Sequence, residues 1–171
     1  MPWIYQNDNN NCVRYTLGIT GNNPLICFGI NPSTACPGKL DNTIRSVERL
    51  AFGNGFDSWI MLNLYPLRET NPAKLPKNIE KEIHQNNLHH IEKLISSRQM
   101  KIWAAWGTLI MKQKYLQDCL KDIIGISGKY SCYWYSIGKE SKFGHPHHPL
   151  YLRADEKMKL FDVESYYERL V

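Results

Sequence analysis

Residues 25–32 read LICFGINP, an unbroken apolar run that stops abruptly at Asn31 and Pro32. A short continuous run of this kind is typical of a β-strand that is buried on both faces, as at the centre of a parallel sheet. Pro32 ends the strand because it has no N–H to donate to a neighbouring strand. The pattern therefore predicts a central strand over residues 25–30, with a polar turn at its carboxyl end.

Further apolar runs of the same character predict three more buried strands, at residues 59–64, 101–107 and 130–137. Apolar residues at helical spacing predict helices at residues 43–52, 78–97, 109–123 and 155–170. Strands that alternate with helices favour a parallel sheet covered by helices on both faces. We therefore expect a single α/β domain over residues 1–171, with three α/β/α layers and a central, mainly parallel four-stranded sheet.

The N-terminal segment carries weaker patterns. Residues 13–17 alternate between apolar and polar side chains, which predicts a strand with one face in solvent. Residues 1–10 are rich in Asn, and we expect them to be loosely ordered.

Composition narrows the class of protein. The chain has 171 residues, of which 43% are hydrophobic and 22% charged, as in an ordinary globular domain. No apolar stretch approaches the roughly 18 residues that cross a bilayer, and the N-terminus lacks the basic and apolar regions of a signal peptide. We expect a cytoplasmic protein with no membrane partner. The formal net charge of +5 permits a polyanionic partner without requiring one.

The predicted strands end in unusual polar turns, at residues 31–34, 63–68, 106–108 and 145–149. In open α/β sheets the ligand crevice lies beyond the carboxyl ends of the parallel strands. If these turns share one edge of the sheet, they enclose one site.

Two asparagines in these turns are candidate ligand-binding residues. The amide of Asn31 can donate and accept hydrogen bonds at once, so it can hold a water or the edge of a heterocycle. The alternative is an Asx-type turn that only caps the strand. Asn63 lies at the tip of an apolar strand, where an unpaired amide is costly. It either bonds a neighbouring backbone group or presents its amide to a ligand such as a pyrimidine.

Three histidines, His145, His147 and His148, lie within four positions. A zinc site needs three or four convergent ligands, and the spacing of this loop is not that of a helical pair. A loop stiffened by proline that presents one or two histidines as proton donors or cations is the more economical interpretation. A rigid loop with surface histidines is the remaining alternative.

Two arginines and two tyrosines in or near the turns suit a nucleotide ligand. Arg68 and Arg153 can bind phosphate bidentately, although an isolated arginine is usually a solvated surface group. Tyr65 and Tyr151 are the best placed of the aromatic residues for stacking on a base.

The ordered motifs resemble a known family over nearly the whole chain. They are GINPST at residues 29–34, DNTIR at 41–45, NLYPLRETNP at 63–72 and GHPHHPLY at 144–151. This set is similar to the family numbered 1643 among the domains of unknown function. That resemblance implies no activity.

A more distant resemblance is to the uracil-DNA glycosylase superfamily, which has an α/β fold with a central parallel sheet. In that superfamily the first strand ends in a motif of the type G-I-N-P, which matches residues 29–32 of this chain, beginning at Gly29. The resemblance implies that Asn31 positions the attacking water. It implies that Asn63 reads the pyrimidine. It also implies that His148, with His145 as the competing match, stabilises the departing base. Ser33 stands where a uracil-specific enzyme has tyrosine, so a methyl group at the pyrimidine C5 would not be excluded.

The resemblance implies an N-glycosidic hydrolase that acts on a pyrimidine in DNA or in a nucleotide, in DNA repair or modification. The alternative is a weak or inactive relative of the same fold that binds a nucleobase or nucleic acid without cleaving it. We expect no cofactor and no metal. The five cysteines are odd in number and lack a C-x-x-C pair, which favours free thiols, and their spacing is not that of the superfamily's iron–sulfur members.

Overall fold

The computed structural model describes residues 2–171. Its strands are β1 Trp3–Asn7, β2 Arg14–Ile19, β3 Pro24–Gly29, β4 Ser58–Asn63, β5 Lys101–Ala104, β6 Tyr133–Ile137 and β7 Met158–Leu160. Its α-helices are α1 Asn42–Gly53, α2 Lys81–Ile95, α3 Tyr115–Lys129 and α4 Val163–Leu170. The fold is therefore mixed α/β, with one sheet of seven strands in the order β1-β2-β4-β3-β5-β6-β7.

The centre of the sheet is parallel. Strand β3 pairs in parallel with β4 on one side and with β5 on the other, and β5 pairs in parallel with β6. Antiparallel strands extend the sheet at both edges, with β2 and β1 beyond β4 and with β7 beyond β6. The predicted sheet of four strands was therefore too small. The apolar runs in the sequence identify the central strands but miss the short edge strands.

Both ends of the chain differ from prediction. Residues 3–7, expected to be loosely ordered, form β1 because their backbone pairs with β2. The terminal helix begins at Val163 rather than near residue 155, because residues 158–160 pair with the edge of β6. Asp162 then caps α4 by accepting a hydrogen bond from the backbone N–H of Ser165.

Strand β2 has no solvent-exposed face. All six of its residues are buried, because Leu17 and Ile19 pack in the apolar core that contains α1 and the opposite face lies near α2. On one face the hydroxyl of Thr16 donates to Gln6, which also contacts the ring nitrogen Nδ1 of His90 in α2. Thr16 is therefore buried and paired, whereas the alternation of polar and apolar residues predicted that it faces solvent.

The sheet separates two apolar cores. Along β3, Leu25 and Cys27 pack in the core that contains α1. Ile26 and Phe28 pack in the core that contains α2, α3 and α4. This alternation explains the unbroken apolar run, since a strand covered on both faces needs apolar side chains at every position. Within residues 2–171, no helix combines the length and the apolar character needed to cross a membrane.

Candidate functional site

A cleft of about 880 Å³ opens at the carboxyl ends of β3 and β5. This volume lies within the usual range for small-molecule sites, roughly 300–1,000 Å³. Its walls come from the turn after β3, the start of α1, the turn after β5 and the histidine-containing segment after β6. Three of the four predicted turns thus meet at one edge of the sheet, where parallel strands place a crevice.

Asn31 lies in the wall of the cleft with its amide held in one orientation. Its Nδ2 lies 2.7 Å from the carbonyl oxygen of Glu69, 3.0 Å from that of Pro32 and 3.3 Å from that of Leu67. Its Oδ1 has no hydrogen-bond partner within the part of the chain that the structure describes. The only atom of the Asn31 amide left unpaired by the described residues is therefore an acceptor, which is buried at the wall of the cleft, whereas the sequence suggested a donor and an acceptor together.

His148 lines the cleft opposite a glycine that makes room for it. Gly107 has a φ of +65°, and a Cβ added there would lie 3.4 Å from the Cβ of His148. The backbone N–H of Leu150 donates to Nδ1 of His148 at 3.3 Å. Since Nδ1 accepts, a neutral His148 carries its proton on Nε2. Burial lowers the pKa of His148, while the negative charge of Asp41 opposes that shift.

His145 also lines the cleft, and its ring is positioned from behind. Its Nδ1 lies 2.8 Å from the hydroxyl oxygen of Tyr166, which accepts a hydrogen bond from Nε1 of Trp106 at 3.1 Å. An indole N–H can only donate, so the Tyr166 hydroxyl is free to donate to Nδ1. Burial lowers the pKa of His145 and raises that of Tyr166 to about 12. These two hydrogen bonds and burial keep His145 neutral with its proton on Nε2.

Asn63 lies one layer below the cleft rather than in its wall. It is in parallel register with Gly29, which lines the cleft. A Cβ at Gly29 would lie 3.2 Å from Oδ1 of Asn63 and 2.6 Å from Cε of Met61, so only glycine fits without displacing a neighbour. Asn63 is fully buried, and neither its Oδ1 nor its Nδ2 has a hydrogen-bond partner among residues 2–171.

Two other predicted residues border the cleft. Ser33 lies in its wall, and its hydroxyl donates to that of Thr70 at 3.3 Å. Tyr151 also lines the cleft and is 80% exposed, with its ring centroid 6.1 Å from that of His148. An exposed aromatic ring beside a cleft is free to stack on a ligand.

Besides Asn63, three further predicted ligand-binding residues do not line the cleft. Tyr65 is fully buried in the core that contains α2, where its ring packs edge-on against Tyr115. Arg68 holds the turn after β3 by donating to the carbonyl oxygens of Ser33 and Ala35. Arg153 is exposed and forms an ion pair with Asp155. Tyr65 and Arg68 therefore have structural contacts in place of the expected base stacking and phosphate binding.

Sequence reasoning missed Arg14, which lines the cleft although it is only 1% exposed. The register of β1 and β2 shifts at Gln6 and Asn7. Arg14 then reaches the turn after β3 and donates to the carbonyl oxygen of Ala35 at 3.1 Å. Burial and the nearby Arg68 lower its pKa to about 10, while Asp41 opposes them. An arginine in an alternating segment gave no signal of this position.

Asp41 begins α1 by accepting a hydrogen bond from the backbone N–H of Ile44 at 2.9 Å. It also lies in the wall of the cleft, where its charge acts on both Arg14 and His148. The cleft thus combines an amide, two neutral histidines, a buried cation and two acidic residues, Asp41 and Glu69. It can bind a polar ligand and stabilise negative charge on it.

A second polar cluster lies between α2 and α3. His84 contacts Oδ2 of Asp122 at 2.8 Å through Nε2 and Sγ of Cys119 at 3.5 Å through Nδ1. The arrangement Cys119–His84–Asp122 resembles a cysteine nucleophile with a histidine base and its carboxylate. Cys119 is fully buried, however, and burial raises the pKa of its thiol to about 12. A buried thiol of this kind is inert, so the cluster joins two helices. Among the described residues, no group of three or more His, Cys, Asp or Glu is arranged to hold a metal ion.

Comparison with known proteins bears on the family alone. No curated protein and no solved structure matched the chain. A family model matches residues 14–150, which include the cleft-lining residues from Arg14 to Leu150. Because this match spans well over half of the sequence, the chain belongs to the family described as protein of unknown function (DUF1643).

Proposed function

We propose that this protein hydrolyses the N-glycosidic bond of a pyrimidine nucleotide, as its motifs suggest by their likeness to the uracil-DNA glycosylase superfamily. One observation carries the proposal. Asn31 and His148 line one cleft, and each has its orientation set by backbone groups so that one polar atom stays free. The free atoms are an acceptor, Oδ1 of Asn31, and a donor, the Nε2–H of His148.

These two atoms match the charges that develop when the bond breaks. Oδ1 of Asn31 accepts a hydrogen bond from water and directs its oxygen at the anomeric carbon of the sugar. The glycosidic electron pair leaves with the base, and the Nε2–H of His148 donates to the base oxygen on which negative charge accumulates. The products are the sugar with a new hydroxyl and the base, which ends with a proton from the water. A preorganised donor of this kind contributes roughly a hundredfold to a thousandfold in rate.

Recognition of a pyrimidine without cleavage is the second candidate. The observation that favours it is the neutral amide of Asn31, whose Nδ2 is occupied by carbonyl oxygens. Such a group orients water but cannot remove its proton. In this case His145 and His148 donate to the carbonyl oxygens of a bound base.

Base release distinguishes the two functions. The protein is incubated with pyrimidine nucleotides and with oligonucleotides that contain uracil, modified uracil or mismatched thymine. Free base and abasic sites are then measured. We expect release that falls about a hundredfold or more in His148→Gln, while Arg98→Gln, at the opposite end of the parallel strands, stays near wild type. Binding without release in any substrate selects the second candidate, and neither binding nor release overturns both.

A further inference from the structure

We infer that Arg14 forms a subsite for the phosphate of the nucleotide, and that the ligand is a free pyrimidine mononucleotide rather than a nucleic-acid strand. The choice of base rests on the proposed function. The anion subsite rests on Arg14 itself and is tested separately below.

Arg14 lacks a charged partner in the fold. Arg14 is 1% exposed, and no carboxylate lies within ion-pair distance of its guanidinium among residues 2–171. One of its terminal nitrogens, Nη1, donates to the carbonyl oxygen of Ala35, and its Nε has no partner within the described chain. A buried cation without a counter-ion is costly. An anion in the cleft, which Arg14 borders, would remove that cost.

A second guanidinium lies beside that of Arg14. Arg68 donates to the same carbonyl oxygen of Ala35, and its positive charge lowers the pKa of Arg14. Asp41 is the cleft carboxylate whose charge acts on Arg14, and it already accepts the capping hydrogen bond of α1. The region around Ala35 is therefore cationic, and guanidinium groups bind phosphate oxygens bidentately.

The size of the cleft and the burial of Arg14 limit the size of the ligand. Proteins that follow a nucleic-acid strand place arginine and lysine along an exposed groove. Arg14 instead is buried at the boundary of a cleft of about 880 Å³, which suits a small molecule. A terminal phosphate monoester can enter such a cleft, whereas a phosphodiester would have to continue out of it on both sides.

Calorimetric titration of the full chain tests the inference. The probes are deoxypseudouridine and its 5′-monophosphate, whose carbon–carbon glycosidic bond resists hydrolysis. Deoxyribose 5-phosphate, inorganic phosphate and a single-stranded oligonucleotide with an internal deoxyuridine complete the set. We expect the monophosphate to bind roughly tenfold to a hundredfold more tightly than the nucleoside. Arg14→Met should abolish this gain, whereas the control Arg98→Met should keep it.

Several outcomes would overturn the inference. These are equal affinity for nucleoside and monophosphate in the wild type, a gain that survives in Arg14→Met, and tighter binding of the oligonucleotide than of the monophosphate. The wild-type comparison needs no variant, so it decides even if Arg14→Met does not fold, and Arg14→Lys retains the cation in that event. Binding of deoxyribose 5-phosphate that depends on Arg14, without any binding of the nucleoside, would uphold the anion subsite and contradict the proposed function instead.

Discussion

The hydroxyl oxygen of Tyr166 lies 2.8 Å from Nδ1 of His145, so a residue of the last helix sets the tautomer of a histidine in the cleft. Tyr166 is 2% exposed and also accepts from Nε1 of Trp106. One hydroxyl thus satisfies two buried groups that come from different parts of the chain.

Replacing this hydroxyl should be costly. In Tyr166→Phe, both Nδ1 of His145 and Nε1 of Trp106 lose their partner, and each buried unpaired group costs about 1–3 kcal/mol. For the two groups together we expect a loss of stability of about 2–6 kcal/mol, measured by urea unfolding. The matched control is Tyr167→Phe, since the hydroxyl of Tyr167 is only partly buried and makes no hydrogen bond within the described residues. Equal stability of Tyr166→Phe and wild type would contradict the hydrogen-bonded chain.

The amide of Asn31 cannot be replaced by a carboxylate without cost, although an aspartate would be the stronger base. Its Nδ2 faces three carbonyl oxygens, and Asn31→Asp would place a negative oxygen against them. We expect a loss of about 2 kcal/mol or more at neutral pH, with partial recovery in acid as the new carboxyl is protonated. Urea unfolding at neutral pH and at acidic pH measures this change in stability.

Asn71→Asp is the control for that change. The side chain of Asn71 accepts a hydrogen bond from the backbone N–H of Ala73 at the start of a short helical turn, and aspartate serves equally well in such a cap. We expect its stability to stay near wild type. If both variants were equally stable, the carbonyl contacts of Asn31 would not hold in solution.

Stability should fall on mild acidification. Burial lowers the pKa of His90, His145 and His148 below the ordinary value of 6.5. A group with a lowered pKa stabilises the folded state fully above its unfolded value, and that contribution is lost as the pH falls through its folded value. We therefore expect the urea midpoint to be constant near pH 7 and above, and to decline below about 6.5.

Removal of one of these histidines should flatten that decline. His145→Gln is expected to show a smaller drop in midpoint than wild type between neutral pH and about pH 5. Arg98→Gln provides the control and should retain the wild-type decline, since Arg98 is exposed and donates only to the carbonyl oxygen of Asn22. A midpoint that rises on acidification would show that the three imidazoles are stabilised in their charged form.

The five cysteines should differ sharply in reactivity. Cys12 is exposed, whereas Cys27 and Cys119 are buried and burial raises the pKa of both thiols. A thiol reagent should therefore label Cys12 first and reach the two buried thiols only on unfolding, as mass spectrometry of digested protein can follow. Cys12→Ser should lose the fast phase alone. Labelling of Cys119 as fast as Cys12 would mean that the contact between α2 and α3 opens readily.

The sequence was sufficient for the parallel centre of the sheet. The four apolar runs mark strands covered on both faces, and burial of that kind leaves a local pattern in the chain. The strand directions predicted the edge of the sheet at which the cleft lies. Asn31 and His148 both follow strands that end at this edge, and both line the cleft. The edge strands β1 and β7 left no such pattern in the sequence. Each forms because its backbone pairs with one neighbouring strand, and that pairing does not require a run of apolar side chains.

Tertiary structure alone decided which polar side chains face the cleft. Arg14 and Arg68 both contact the carbonyl oxygen of Ala35, yet only Arg14 lines the cleft. Tyr166 supports His145 across 21 residues of sequence. Local periodicity records whether a residue is buried, but the partner of a buried polar group is set by contacts between distant segments, which periodicity does not encode.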